Sequence, residues 1–267
     1  MGSEAQIREM VGTQPARAAS ACDGLSVLVT GASRGIGRVV AEGLAAAGAN
    51  VTLAARSEAA LREVADGIAA SGGAAEVAVA DLTSPDRARD AVASAVDRFG
   101  ALDGAFVNAG VSVDVPAFDI SEEDWRRVLD VNLSGAFFTA QAAGRAMRGR
   151  GGSIVFTTST FAYVAFPLRS AYAASKAGVA HMARQLALEW APESIRVNAV
   201  APTATLTDLN RERLSQPAIR DAMVAKIPLG RLLEPEDLIG AVGFLLGRES
   251  AMVTGQSLLI DGGYTIQ

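Results

Sequence analysis

A tyrosine and a lysine stand four residues apart, Tyr172 and Lys176, in the run SAYAASKAG (170–178). The chain has 24 basic residues, and only Lys176 and Lys226 are lysines, so a lysine kept at this spacing needs a reason. On a helix the two side chains share a face, and a nearby ammonium favours the phenolate form of a tyrosine. We therefore predict that Lys176 lowers the pKa of Tyr172, which then exchanges a proton with an alcohol or carbonyl oxygen. The alternative is a packed tyrosine beside a lysine whose stem covers it.

A glycine-rich turn, TGASRGIG (30–37), follows the first apolar run and precedes a helical pattern. Glycines let backbone N–H groups approach a pyrophosphate at a helix N-terminus, where the helix dipole favours anions. The alternative is a purely structural turn. We predict a dinucleotide contact along this turn, at Gly31, Ser33, Arg34, Gly35, Ile36 and Gly37.

The end of the second strand bears on which dinucleotide is bound. An acidic residue usually stands there when the ribose carries a free 2′-hydroxyl, but this chain has Ala55 followed by Arg56. Arg34 and Arg56 together suit a 2′-phosphate, because guanidinium pairs with phosphate through two hydrogen bonds. NADP(H) is therefore favoured and NAD(H) remains possible. The alternative is that Arg56 is only a solvated strand end.

Seven short apolar runs alternate with helical patterns along the 267 residues. Nearly continuous apolar runs are typical of strands that are covered on both faces of a sheet. We predict a single-domain α/β fold, a Rossmann-type doubly wound sheet of seven mainly parallel strands with helices on both faces. The predicted strands cover 26–31, 50–56, 76–82, 102–110, 153–159, 194–202 and 257–263.

The remaining composition sets the organisation and excludes several classes. We predict a flexible N-terminal extension at 1–22, one domain at 23–267 and a small helical substrate lid at 203–230. A net charge of −5 and a pI of about 5.1 argue against a nucleic-acid surface, and no apolar run is long enough for a membrane span. Cys22 is the only cysteine, so we expect no intrachain disulfide and a reducing, cytoplasmic location. No side chains have metal-ligand spacing.

Several motifs in a fixed order carry a resemblance. Ser159 ends the run SIVFTTS thirteen residues before Tyr172, Asn108 closes the strand end FVNAG, and Asn132 lies in LDVNLSG. With TGASRGIG, DL (81–82), NAG (108–110), DVN (130–132), YAASK and VTGQSLLIDGG, the chain resembles the short-chain dehydrogenase/reductase family from about Leu25 onwards. It is similar in particular to gluconate 5-dehydrogenase-like and 3-oxoacyl-carrier-protein reductase-like members.

The resemblance implies a role for each matching residue. Tyr172 would be the general acid/base, Lys176 would lower its pKa and hold the nicotinamide ribose, and Ser159 would hydrogen-bond the substrate oxygen. Asn132 would position a water that links Lys176 to solvent. Further cofactor contacts are implied for Arg56, Asp81 at adenine, Leu82, Asn108 at the adenosine ribose, Ala109, Gly110, Pro202, Thr205 and Thr207. Thr203 departs from the family, which usually has glycine there, and a residue with a Cβ is expected to restrict φ at this position.

The substrate side is expected to have an apolar rim, which favours a ketone or alcohol with a hydrophobic part. The pocket positions implied by the resemblance are Phe161 and Phe166, with Tyr163, Val111, Val113, Leu206, Leu209 and Met223. Arg169 is expected at the surface or an interface, although it could hold a carboxylate. The helical run 170–190 is apolar on more than one face, and with the resemblance this predicts a homotetramer.

Four functions remain open from the sequence. The leading prediction is an NADP(H)-dependent oxidoreductase that interconverts a ketone and a secondary alcohol. The alternatives are an NAD(H)-dependent sugar-acid or polyol dehydrogenase, a 3-oxoacyl-carrier-protein reductase, and a non-catalytic nucleotide-binding or scaffold protein. We expect a small-molecule partner, and neither nucleic acid nor membrane. The residues Asn132, Ser159, Tyr172 and Lys176 favour an enzyme, because a binding module has no need of a proton-transfer set.

Overall fold

The seven apolar runs form the strands of one sheet in the computed structural model, which describes residues 22–207, 210 and 214–266. Every neighbouring pair of strands is parallel, in the order β3-β2-β1-β4-β5-β6-β7. The predicted Rossmann-type α/β sheet is therefore confirmed. The strands are β1 (Ser26–Thr30), β2 (Asn50–Ala55), β3 (Ala74–Val79), β4 (Gly104–Val107), β5 (Gly152–Thr157), β6 (Ile195–Pro202) and β7 (Ser257–Ile260).

Helices cover both faces of the sheet, as the apolar strands require. The described helices are α1 (Gly35–Ala46), α2 (Glu58–Ala70), α3 (Pro85–Phe99), α4 (Glu122–Leu129), α5 (Gly135–Met147), α6 (Ser170–Trp190), α7 (Pro217–Val224) and α8 (Ile239–Leu246). One apolar cluster packs α3, α5 and α6 against the sheet, and a second packs α1, α2 and α8. A single π-helical turn, Asp130–Ser134, joins α4 to α5.

Local sequence signals explain where two of these helices begin. Ser121 accepts a hydrogen bond from the backbone N–H of Asp124 at 3.0 Å and caps α4, whose first turn carries Glu122 and Glu123. Ser84 caps α3 ahead of a proline at its first position, and Gly100 closes that helix in the left-handed region at φ 81°. These are standard helix-start and helix-stop residues, so both helices can be predicted from the sequence.

The strand order reverses at β1, which lies between β2 and β4. In an open parallel sheet, the crevice outside the carboxyl ends of the strands at such a point is where ligands bind. The segments that follow β1, β2, β4 and β5 therefore meet at one edge of the sheet. These segments carry the predicted site residues.

The structure describes only parts of the predicted N-terminal extension at 1–22 and of the predicted lid at 203–230. Residues 1–21 of the predicted extension lie outside the described residues, whereas Cys22 is buried, with its Sγ 3.8 Å from the carbonyl oxygen of Gly243. Within 203–230 the structure describes α7 and the chain around it, and residues 208, 209 and 211–213 lie outside the described part. None of the described helices is both long and apolar enough to span a bilayer.

Candidate active site

The glycine turn opens α1 and leaves its first N–H groups uncapped by any described side chain. Gly35 has φ +56°, a left-handed conformation that favours glycine, and it lets the chain enter α1 directly after the extended Arg34. Gly37 has a different function, because a Cβ added there would lie 2.3 Å from the carbonyl oxygen of Gly31. The helix can therefore pack closely on the turn, and the positive end of its dipole makes the cleft side of the turn favourable for an anion.

A cleft of about 810 Å³ lies over this turn. Of the predicted cofactor residues, all line the cleft except Gly37, Pro202 and Thr205. Eight further lining residues were not among the predicted site positions, and they lie at or after the ends of β2, β3 and β5, in α4 and in the π-helical turn. These are Ala55, Ser57, Ala60, Ala80, Thr83, Arg127, Val131 and Thr157. Among the described residues there is no cluster of three or more His, Cys, Asp or Glu side chains that could hold a metal ion.

Two exposed arginines, Arg34 and Arg56, line one end of the cleft. Neither forms an ion pair or a side-chain hydrogen bond with the described residues. Asp81 is the acidic residue on this wall, and its Oδ1 accepts hydrogen bonds from the Thr83 hydroxyl at 2.8 Å and the Thr83 N–H at 3.1 Å. These bonds, and to a smaller extent the charge of Arg56, hold the pKa of Asp81 below its ordinary value. This end of the cleft therefore combines two unpaired cations with one carboxylate.

Asn108 ties together the ends of three strands. Thr30 Oγ1 accepts from the backbone N–H of Asn108 at 2.8 Å and of Ala109 at 3.1 Å, and Asn108 Nδ2 donates to the Thr30 carbonyl at 3.1 Å. Thr157 Oγ1 donates to Asn108 Oδ1 at 3.1 Å. The NAG motif therefore has a structural function at the floor of the cleft, in addition to lining it.

Asn132 lies in the π-helical turn, a feature that is frequent at functional sites. Its Oδ1 accepts from the Val111 N–H at 2.8 Å, and its Nδ2 donates to the Val111 carbonyl at 2.9 Å and to Ser175 Oγ at 3.1 Å. Ser175 Oγ in turn donates to the Tyr172 carbonyl at 2.7 Å. The Asn132 side chain thus joins the loop after β4 to α6, the helix that carries Tyr172.

Lys176 is buried, and its Nζ donates to the Thr157 carbonyl at 2.7 Å. Nζ lies 5.8 Å from the centroid of the Tyr172 ring. Burial disfavours the ammonium and lowers the pKa of Lys176 to about 8. Lys176 therefore loses its charge at a lower pH than an exposed lysine does.

Tyr172 is hydrogen-bonded to Ser159, whose Oγ also accepts from the Phe161 N–H at 3.2 Å. The sequence predicted a lowered pKa for Tyr172, and this was wrong. Burial of the hydroxyl raises the pKa, and the Ser159 hydrogen bond and the charge of Arg169 oppose that rise without cancelling it. Lys176, the predicted partner of Tyr172, instead donates to the Thr157 carbonyl at 2.7 Å.

Arg169 is the functional-site residue that sequence reasoning placed wrongly. It was expected at the surface or an interface, yet only 5% of it is exposed, and its Nη1 pairs with Asp114 Oδ1 at 2.7 Å. Nη1 also donates to Ser112 Oγ, and the guanidinium carbon lies 5.9 Å from the centroid of the Tyr172 ring. Its position three residues before Tyr172, nearly one helical turn, is the signal that could have identified it.

Aromatic side chains form a wall beside Tyr172. Phe161 and Phe166 stack with centroids 4.8 Å apart, and Phe161 meets Tyr172 edge-on at 6.5 Å. Lys226 Nζ lies 5.9 Å from the centroid of the Phe166 ring. Of the other predicted pocket positions, Val111 lines the cleft, Val113 is half-buried, Tyr163 and Leu206 are exposed and Met223 is buried, while Leu209 lies outside the described residues.

The segment after β6 approaches the cleft without backbone strain at Thr203. Thr203 is not among the described non-glycine residues with positive φ, so the missing family glycine costs no strain there. Thr205 turns its hydroxyl to the Thr203 carbonyl at 2.9 Å and bridges to Leu233. Thr207 reaches the cleft and packs on the turn, with its Cβ 3.5 Å from where a Cβ of Gly35 would lie.

The fold and this cleft define a dinucleotide-binding type of α/β protein, and comparisons with known proteins narrow the class. A family model described as Enoyl-(Acyl carrier protein) reductase matches residues 31–265. The L-rhamnose 1-dehydrogenase (NAD(P)(+)) of Azotobacter vinelandii is 41% identical over 244 residues, which cover 89% of this chain and 95% of that protein. The D-threitol dehydrogenase of Mycolicibacterium smegmatis is 39% identical, with 92% of this chain and 94% of that protein covered.

A solved structure agrees with these relatives. The crystal structure of a gluconate 5-dehydrogenase from Burkholderia cenocepacia J2315 in complex with NADP and tartrate matches with a TM-score of 0.90 and 35% identity, covering 94% of this chain and 100% of that one. The chain belongs to the short-chain dehydrogenase/reductase family. The predicted family and its oxidoreductase class are therefore confirmed.

Proposed function

We propose that the protein is an NADP(H)-dependent oxidoreductase that interconverts a ketone and a secondary alcohol, with Tyr172 as the general acid/base. The observation that carries this proposal is that Tyr172 and Lys176 line the same cleft as the glycine turn. A proton-transfer pair and an anion-binding helix N-terminus in one cleft of about 810 Å³ suit a dinucleotide with a small substrate beside it.

The residues of the cleft fit a nicotinamide dinucleotide. The uncapped start of α1 would receive the pyrophosphate, Asp81 and Asn108 would lie toward the adenosine, and Lys176 toward the nicotinamide ribose. Arg34 and Arg56 would hold a 2′-phosphate, since both line the cleft and β2 ends without a carboxylate. The solved relative that holds NADP supports the same preference.

The protein's own contribution to the reaction is proton transfer and orientation. A bound nicotinamide supplies or accepts the hydride. In the reducing direction the Tyr172 hydroxyl donates its proton to the carbonyl oxygen, and Ser159, already hydrogen-bonded to Tyr172, holds that oxygen. The raised pKa keeps Tyr172 protonated at neutral pH, which suits donation. Asn132 maintains this arrangement by fixing α6 through Ser175, and we retain its proposed contact with a water beside Lys176.

The substrate would lie against the aromatic wall of Phe161 and Phe166, which favours a ketone or alcohol with an apolar face. A sugar, sugar acid or polyol is the second candidate, because the relatives include an L-rhamnose 1-dehydrogenase and a D-threitol dehydrogenase. Segment 203–230 would close over the substrate, since Lys226 already reaches the ring of Phe166. Leu206 would join that cover.

A homotetramer in the cytoplasm completes the proposal. β7 is the last strand of the sheet, and its Leu258 and Leu259 are exposed, as is Phe244 of α8. Exposed large apolar side chains of this kind are suited to an interface between subunits. Light scattering coupled to size exclusion is expected to give four chains per particle, and a monomer at all concentrations would contradict this part.

Calorimetric titration with NADPH and NADH tests the cofactor assignment. NADPH is expected to bind more tightly than NADH, and Arg56→Ala to weaken NADPH selectively. Arg62→Ala is the matched control, because Arg62 is an exposed arginine of α2 that pairs with Glu58 at 2.6 Å and does not line the cleft. Tighter NADH binding would favour the oxidative sugar or polyol candidate, and binding of neither would favour a non-catalytic protein.

A further inference from the structure

A set of contacts, here called the clasp, joins the start of α6 to the loop after β4. Arg169 pairs with Asp114 at 2.7 Å and donates to Ser112, while the Val115 N–H donates to the Leu168 carbonyl at 3.2 Å. We propose that Arg169 is a positioning residue whose guanidinium, anchored by Asp114, provides the permanent positive charge that stabilises the phenolate of Tyr172. This inference rests on the proposed function of Tyr172 as the acid/base.

The backbone before Arg169 is built to turn this side chain inward. Leu168 adopts φ +66°, a left-handed conformation that is unfavourable for a residue with a Cβ. Such conformations persist only where surrounding contacts hold them, and they concentrate at functional sites. Leu168 itself is 45% exposed, so its side chain gains little from packing. The contacts that hold this turn are those of the clasp, and their result is a buried guanidinium beside the Tyr172 ring.

The geometry places this charge where it acts on Tyr172. The guanidinium carbon lies 5.9 Å from the centroid of the ring, and the Arg169 side chain is only 6% exposed, so solvent screens the interaction weakly. The Asp114 side chain is 35% exposed, so it is more accessible to solvent than its partner. The positive member of the ion pair is therefore the buried one, and it lies beside the Tyr172 ring.

Each charged or polar group around Tyr172 has a distinct effect. On α6, Lys176 has a pKa of about 8 and loses its charge as the solution becomes alkaline. Arg169 remains charged throughout, because arginine does not deprotonate in proteins. From the end of β5, Ser159 contributes a hydrogen bond, and from the segment after β6, Lys226 lies over Phe166, the ring beyond Phe161. Well above pH 8, where Lys176 is mostly neutral, Arg169 thus still carries its charge beside Tyr172.

Two substitutions separate a charge effect from a merely structural one. Arg169→Met and Asp114→Asn both break the same ion pair, so a structural role predicts that both change Tyr172 in the same direction. They change the charge near Tyr172 in opposite directions. Loss of the guanidinium is expected to raise the pH at which Tyr172 ionises, and loss of the Asp114 carboxylate is expected to lower it. Arg169→Lys keeps the charge and is expected to stay near the parent protein.

The readout is the ultraviolet absorbance of tyrosinate in a pH titration of the full chain. Each protein is titrated beside the same protein carrying Tyr172→Phe, and the difference isolates Tyr172 from the other tyrosines. Circular dichroism at each pH restricts the comparison to folded protein. Because neither cofactor nor substrate is present, failure of this inference is distinguishable from failure of the proposed function, which the dinucleotide titrations test.

The inference is supported if the pH at which Tyr172 ionises shifts in opposite directions in Arg169→Met and Asp114→Asn. Shifts of the same sign, or no shift in either protein, overturn it. If Arg169→Met fails to fold, the pair Asp114→Asn and Arg169→Lys decides. The inference is supported if Tyr172 ionises at a lower pH in Asp114→Asn and at an unchanged pH in Arg169→Lys. Any other combination overturns it.

Discussion

The close contact between α1 and the glycine turn predicts a large effect of a single methyl group. A Cβ at Gly37 would lie 2.3 Å from the carbonyl oxygen of Gly31 and 2.7 Å from Asn108 Nδ2, whereas ordinary contacts begin near 3.4 Å. Backbone atoms must therefore separate by roughly one ångström, and overpacking of this kind costs about 1–3 kcal/mol. We expect Gly37→Ala to lose about that much free energy of unfolding and to bind NADPH more weakly.

Gly67 provides the matched control in the exposed part of α2. No atom lies within 4 Å of a Cβ added there, so Gly67→Ala gains only helix propensity, about 0.5–1 kcal/mol. Urea unfolding at one protein concentration, followed by circular dichroism, measures both variants. The two substitutions should change stability in opposite directions. The close-contact argument would be refuted if Gly37→Ala were as stable as the parent protein, or if Gly67→Ala were destabilised as much as Gly37→Ala.

Two further predictions follow from the buried groups. Lys176 has a pKa of about 8 in the folded protein and about 10.4 in the unfolded chain. Between these two pH values the unfolded chain binds more protons than the folded protein, so the free energy of unfolding rises with pH. Relative to Lys176→Met, the parent protein should gain up to about 3 kcal/mol of this free energy as the pH rises through the window. Urea unfolding of both proteins at the two ends of the window measures this gain. A stability difference between the two proteins that does not change with pH would contradict the lowered pKa of Lys176. Asn132→Ala removes the side chain that hydrogen-bonds both the N–H and the carbonyl of Val111, and it should lower the free energy of unfolding by about 1–3 kcal/mol. Hydrogen exchange at the Val111 amide should become faster. Unchanged exchange would contradict the role of these two hydrogen bonds.

Much of the fold could be predicted because the strands are buried on both faces. Continuous apolar runs such as SVLVT of β1 do not alternate, and this pattern indicates a parallel sheet between helices. Cap residues such as Ser121 and the φ preference of Gly35 mark element boundaries locally. The placement of Tyr172 and Lys176 in one cleft also follows from short-range spacing, because both belong to one helix.

What could not be predicted depends on contacts between segments far apart in the chain. The burial of Arg169 requires Asp114 and Ser112 of the loop after β4, which lie more than fifty residues away. The raised pKa of Tyr172 depends on how deeply its hydroxyl is buried, which no spacing indicates. The close packing at Gly37 likewise depends on its distance to Gly31, which the sequence does not indicate.

Comparison of Tyr172→Phe with Tyr264→Phe tests the central claim most directly. Both remove one phenolic hydroxyl, but only Tyr172 lines the cleft. Turnover is measured by NADPH absorbance over a panel of ketones, sugars, sugar acids and polyols, with NADPH affinity measured on the same preparations. We predict that Tyr172→Phe keeps NADPH binding and loses turnover by about 10²–10⁴-fold, while Tyr264→Phe keeps both. Undiminished turnover in Tyr172→Phe would contradict the assignment of Tyr172 as the general acid/base.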